Sequence, residues 1–257
     1  MKRISVSILV LLIFVLAGLG LSIRQPLRAS QKSETAPTAV TVTKHQPLKG
    51  ISKLKNGTIN AVILGDSISV SQGASDPSVT GWNSDLNKSL FDTFGHKIVW
   101  DNKGSSGKLI DYALNKAKEI SSSTDAVFIC LGRIDRNFST PEQFSEKYTE
   151  LITIIKSRAP NADIFCIVEP PMISLDESKF AGIRSTIIDV SAKTGSNLLD
   201  VWSAFPKDHH SLSELLEDVL HPNDKGNKLM SNFIYQRLVT VINNEVNSAT
   251  IVHLPTT

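Results

Sequence analysis

A serine just past an apolar run, and an aspartate three residues ahead of a histidine, are the residues of this chain best suited to chemistry. The serine lies in Leu64-Gly65-Asp66-Ser67-Ile68-Ser69, where a strand-length apolar run gives way to a small, turn-forming group. A tight turn there exposes the Ser67 hydroxyl and aims neighbouring backbone N–H groups at an oxyanion forming beside it. Serine alone is a poor nucleophile and needs a base within hydrogen-bond reach, itself oriented by a carboxylate. Asp218-Val219-Leu220-His221-Pro222-Asn223 carries both in one short segment just before a helical pattern. Taken singly, each segment also fits a structural role. The first makes a plain Gly-Asp-Ser turn; in the second, Asp218 is a surface residue and His221 leads into a helix capped by Asn223.

Other reactive side chains are less well placed. His209 and His210 follow Asp208 in a polar stretch without the further ligands that a metal site needs, so no metal is expected. Ser105 and Ser106 flank Gly104 and suit a turn, while Asp200 lacks the spacing to a histidine that Asp218 has. Cys130 and Cys166 each sit inside an apolar run, which favours buried free thiols. A disulfide is conceivable only where the two strands are neighbours, and its geometry is seldom met across adjacent parallel strands.

The elements that must position these groups follow from hydropathy. Strand-length apolar runs at 59–64, 97–100, 126–131, 163–168 and 197–201 alternate with helix-length segments at 82–94, 107–120, 141–158 and 178–193. A last helix is expected over 223–244, where Leu229, Met230, Phe233, Ile234, Leu238 and Val241 recur at three- and four-residue steps. Such alternation predicts an α/β fold, a single doubly wound domain with a five-stranded parallel sheet. Folds of this kind place their sites at the carboxyl ends of the strands, which is where Ser67 falls.

Together these segments resemble the SGNH (GDSL-type) hydrolases over roughly residues 58–244. Gly65-Asp66-Ser67-Ile68-Ser69 matches the first block of that family, Asn102-Lys103-Gly104-Ser105-Ser106-Gly107 the second, and Asp218 to His221 followed by Pro222-Asn223 the last. The resemblance implies a flavodoxin-like hydrolase fold and a triad of Ser67, His221 and Asp218. It also implies an oxyanion hole formed by the N–H groups of Ser67 and Gly104, and no metal or organic cofactor.

The third block departs from the family pattern. A G-x-N-D sequence usually follows the third strand, its asparagine supplying another oxyanion donor; here the residues are Gly132-Arg133-Ile134-Asp135. Ile134 can donate nothing. Either Arg133, Arg136 or Asn137 completes the hole, or two backbone donors must suffice, at a typical loss of about a hundredfold to a thousandfold in rate.

After Lys2 and Arg3, an uncharged apolar run covers residues 4–23, long enough to span a bilayer and longer than a secretory core usually is. The expected organisation is an anchor over 1–24, a Ser-, Thr- and Pro-rich linker over 25–57, the hydrolase domain over 58–245 and a tail over 246–257. An anchored domain of this kind lies on the extracytoplasmic side of the cell membrane, or is secreted if the segment is cleaved. A formal net charge of +2 gives no reason to expect nucleic acid as a partner. The expected substrates are small acyl esters, foremost acylated envelope glycans, with lipid esters permitted. An acyltransferase using the same triad, or a catalytically weak glycan-binding protein, are the alternatives, the latter prompted by Ile134.

Overall fold

The computed structural model describes residues 47–247 apart from Leu175. The expected anchor, most of the expected linker and the end of the expected tail lie outside the described residues. Among the described residues no helix is long and apolar enough to cross a membrane.

Five parallel strands form one sheet in the order β2-β1-β3-β4-β5: β1 Ile59–Gly65, β2 Ile98–Asn102, β3 Ala126–Cys130, β4 Asp163–Val168 and β5 Asn197–Asp200. The helices are α1 Pro77–Thr80, α2 Trp82–Phe94, α3 Ile110–Ala117, α4 Pro141–Arg158, α5 Glu177–Thr194, α6 His209–Ser213 and α7 Asp224–Asn247. The register pairs Gly65 with Cys130, Cys130 with Ile167 and Val168 with Asp200, so the strands end along one rim. Chain order reverses between β1 and β3, and Ser67 leaves β1 at that switch point.

Strand side chains alternate between two cores. Ile59, Ala61 and Ile63 face α2 and α7, where Trp82, Leu86, Ile234 and Leu238 are fully buried. Val62 and Leu64 face α3, α4 and α5, against residues such as Tyr148, Ile152 and Ile183. The β3 strand is buried along its whole length, as expected of a central parallel strand covered on both faces. Phe128 stacks on Phe165 of the adjacent strand with ring centroids 4.7 Å apart, and Trp100 meets Phe128 edge-on at 5.1 Å. Burying each such ring stabilises the fold by roughly 1.5–3 kcal/mol.

Two details refine the sequence reading. The domain begins earlier than residue 58: Gly50–Lys55 form a 3-10 helix whose Ile51 and Leu54 are fully buried, and the Ile51 N–H donates to Asp163 Oδ2 at 2.8 Å. A single short turn carries too few apolar positions to show a period, and Lys53 and Lys55 make it read as linker. Cys130 and Cys166 do lie on neighbouring strands, but Cys166 pairs with Ile129. The two thiols therefore point into opposite cores, and both are free.

Candidate active site

Immediately after β1 the chain turns sharply and is stitched to itself. Asp66 Oδ1 accepts the Ile68 N–H at 2.9 Å, Ser69 Oγ donates to the Asp66 carbonyl at 2.6 Å, and the Gln72 N–H donates to the Ser67 carbonyl at 2.9 Å. Trp82, from the buried start of α2, donates its indole N–H to the Ile68 carbonyl at 3.1 Å. This leaves the Ser67 N–H without a protein acceptor among the described residues.

The second segment is brought onto that turn from 154 residues away: His221 Nε2 lies 2.9 Å from Ser67 Oγ. His221 Nδ1 lies 2.7 Å from Asp218 Oδ2, and Asp218 Oδ1 accepts the N–H groups of Leu220 and His221, each at 2.7 Å. One carboxylate thus orients both the imidazole ring and the backbone that carries it. Burial pushes the Asp218 carboxyl up, but the bonds from the His221 ring and from the His221 and Leu220 N–H groups outweigh it and hold the group below its ordinary value. Asp218 therefore stays ionised opposite the ring, as an orienting acid must. Ser67 and His221 are both buried, at 4% and 9% exposure, so the pair is largely shielded from water.

Contacts invisible in the sequence hold this geometry. Gly73 has φ +100°, and a Cβ there would lie 2.8 Å from the His221 Cβ, so only glycine lets the Ser67 turn close against the histidine. Asn227 of α7 accepts the Trp82 N–H at 3.2 Å and donates to the Pro222 carbonyl at 2.7 Å, joining the two segments from below. The Ile173 N–H donates to the Val219 carbonyl at 2.8 Å, tying the Asp218–His221 turn to the loop after β4.

The second block packs as closely. Asn102 donates to the Ser69 carbonyl at 3.0 Å, and a Cβ on Gly104 would fall 1.9 Å from Ser69 Oγ. The Gly104 N–H, which the resemblance assigns to the oxyanion hole, donates to Asn102 Oδ1 at 2.9 Å. An asparagine two residues earlier forms this local turn readily. Ser105 and Ser106 shape the same loop, the one donating its N–H to the Gly65 carbonyl and the other its hydroxyl to Gln72 Oε1 at 2.7 Å.

In the third block, Ile134 is half-buried at the start of a 3-10 turn over Asp135–Asn137. Arg133 is fully buried and spent on the protein: it meets Glu177 Oε2 at 2.5 Å, donates to the Pro170 carbonyl and lies 3.6 Å over the Phe180 ring. Arg136 donates to the Arg133 carbonyl. Asn137 is exposed.

The remaining candidates lie elsewhere in the fold. Asp200 is paired with Arg184, at 2.5 Å. His209 and His210 are exposed on α6, and His210 Nε2 lies 3.9 Å from Glu214 Oε1. Among the described residues, no group of three or more His, Cys, Asp or Glu side chains is placed to hold a metal ion.

Known proteins bear on this arrangement in three ways. The model of the GDSL-like lipase/acylhydrolase family matches residues 63–229, from β1 through the His221 segment into α7. No curated protein matches the sequence. Among solved structures, TesA aligns with a TM-score of 0.60 at 18% identity, covering 71% of this chain and 99% of its own. Est24, a carbohydrate acetylesterase from Sinorhizobium meliloti, aligns with a TM-score of 0.58 at 13% identity, covering 71% and 99%. A two-domain esterase active on acetylated mannans aligns with a TM-score of 0.65 at 17% identity over 80% of this chain and 56% of its own. At these identities the structures speak to the fold alone, whereas the family match spans well over half of the chain and includes both segments that meet at Ser67. This protein therefore belongs to the GDSL-like lipase/acylhydrolase family of ester hydrolases.

Proposed function

We propose that the protein hydrolyses small acyl esters through an acyl-enzyme on Ser67. The observation that carries this reading is the unbroken chain from Ser67 Oγ to His221 Nε2 at 2.9 Å and from His221 Nδ1 to Asp218 Oδ2 at 2.7 Å. As Ser67 Oγ attacks the ester carbonyl, His221 Nε2 takes its proton, and Asp218 stabilises the imidazolium. Collapse of the tetrahedral intermediate expels the alcohol, which receives that proton from His221. Water, deprotonated by the same ring, then attacks the acyl carbon and releases the acid and Ser67. The Ser67 N–H faces the oxyanion as a free donor, and the Gly104 N–H joins it by sharing or releasing its bond to Asn102.

For substrate, we infer an O-acylated carbohydrate. Two structures sharing this fold are described as a carbohydrate acetylesterase and an esterase active on acetylated mannans, which makes acetyl groups on glycans the first substrates to test. The apolar run over residues 4–23 supports a location outside the cytoplasm, where envelope and extracellular glycans lie. Two measurements test the reading: labelling of the full chain by a fluorophosphonate, and acid release from acetylated oligosaccharides alongside aryl esters of increasing chain length. Labelling at Ser67 with preference for acetyl esters is expected. An unlabelled Ser67 in a folded protein would leave glycan binding without catalysis, and product appearing on an added acceptor sugar would make the enzyme a transferase.

A further inference from the structure

Two carboxylic acids lie buried directly beneath the Ser67 turn, outside the triad. Asp66 is the first residue after β1 and Glu169 the first after β4, on the two strands that flank β3. The two carboxyl groups are neighbours across the end of β3, where Glu169 Oε1 lies 4.0 Å from Cys130 Sγ and the Asp66 N–H donates to the Cys130 carbonyl at 3.2 Å. Asp66 and Glu169 are 1% and 0% exposed. Each carboxyl group holds a different loop of the site: Asp66 Oδ1 accepts the Ile68 N–H at 2.9 Å, and Glu169 Oε2 accepts the Arg133 N–H at 2.7 Å.

The contact needs a proton. Two buried carboxylates cannot both be ionised side by side, and Asp66 Oδ2 is enclosed without a donor from any amide, hydroxyl or guanidinium. A proton on Glu169 would let it donate to that oxygen. Burial pushes both groups up, Glu169 well above its ordinary value because the Asp66 charge lies against it as well. Arg133 draws both back only in part, since its guanidinium is directed to Glu177 and the Pro170 carbonyl. The other titratable groups around the pair are Asp135, Cys130, Tyr148 and His221.

We propose that Glu169 and Asp66 form a proton-sharing positioning pair, which locks the Ser67 turn to the 132–134 loop and holds the Ser67 N–H where the oxyanion develops. Neither acid touches substrate. The proposal rests on Ser67 being the nucleophile, and it assigns a function to buried polar groups that hydrolysis itself does not use. It also accounts for their cost: a buried pair that is fully satisfied specifies one arrangement of the loops it joins.

The test compares Glu169→Gln with Glu169→Leu in the full chain. Glutamine keeps a neutral donor for Asp66 and an acceptor for the Arg133 N–H, whereas leucine keeps neither. We expect kcat on an acetyl ester to fall about thirtyfold in Glu169→Leu with KM little changed, and Glu169→Gln to recover most of the wild-type rate. A kcat unchanged in Glu169→Leu overturns the pair, as does a Glu169→Gln variant as slow as the leucine one. Should Glu169→Leu fail to fold, Glu169→Gln decides alone: a folded glutamine variant with a thirtyfold lower kcat overturns the proposal, and one near wild type supports it. Wild-type protein that a fluorophosphonate does not label at Ser67 would instead overturn the nucleophile assignment, and the pair's role with it.

Discussion

Ser67 and His221 stand on segments whose hydrogen bonds hold them toward each other, whereas the 132–137 loop beside them spends its polar groups on the protein itself. In the first region the Ser67 hydroxyl meets His221, and the turn is held by backbone atoms and by Asp66. In the second, where related enzymes present an asparagine to the oxyanion, Ile134 has no donor and Arg133 is buried between Glu177 and Phe180. One rim of the sheet therefore carries a hydrogen-bonded serine, histidine and aspartate next to a corner packed on its own side chains. The difference teaches that hydrogen bonds can hold one pair of side chains toward each other while a neighbouring loop turns its own polar groups inward, because each loop meets its own demands on burial.

Removing the relay tests the reactive side of this contrast. Ser67→Ala and His221→Ala should each lower kcat on an ester by about ten-thousandfold or more, with Asp218→Asn milder. A His221→Ala variant with wild-type turnover in a contaminant-free preparation would place the base elsewhere.

Gly104 probes the boundary between the two regions. With a Cβ predicted 1.9 Å from Ser69 Oγ, Gly104→Ala must push the second block away from the Ser67 turn, and kcat should drop by about a hundredfold, the loss of one oxyanion donor. Normal turnover in that variant would show that the Gly104 N–H takes no part.

A smaller change, and a gain, is expected in the rebuilt corner. Ile134→Asn restores an amide beside the site and should raise kcat by about tenfold, part of what such a donor supplies. Arg133 and Arg136 both donate to protein acceptors, so the competing source of that donor is Asn137. No gain from Ile134→Asn combined with a hundredfold loss in Asn137→Ala would name Asn137 as the substitute.

The smallest effect concerns stability in the same loop. Asp135 accepts the Ile110 N–H at 3.0 Å, and burial raises its carboxyl from 3.8 to about 6. A folded state that keeps its proton longer than the unfolded chain loses stability as pH rises through that window. Asp135→Asn retains the acceptor without the charge, so its melting temperature should exceed that of the wild type by a few degrees above pH 6, on the order of 1 kcal/mol, and converge with it near pH 4. An equal difference at both pH values would detach the effect from ionisation.

Much of the scaffold was legible before any coordinates. The expected helices over 82–94 and 141–158 and the strand over 163–168 coincide with α2, α4 and β4, because long periodic or continuous apolar stretches declare themselves locally. The short elements were not: the 3-10 turn at Gly50–Lys55 and helices α1 and α6 each offer too few residues to show a period. Among site residues, Ser67, Asp218 and His221 were readable because a turn after a strand and a three-residue acid-to-base spacing are local patterns. Gly73, Asn227 and Glu169 were not readable, since each matters only for what it touches across the fold.

By itself, the sequence determined which segments turn, which run straight and which side chains could exchange a proton, all properties of a few neighbouring residues. Tertiary structure decided the rest. The parallel order β2-β1-β3-β4-β5 sets the ends of β1, β3 and β4 side by side, and that alone brings Glu169 against Asp66. It also decided that Arg133 is consumed by Glu177 and Phe180. The physical reason is that burial and hydrogen-bond satisfaction depend on the whole packed environment of a group, whereas turn and periodicity signals need only its nearest neighbours along the chain.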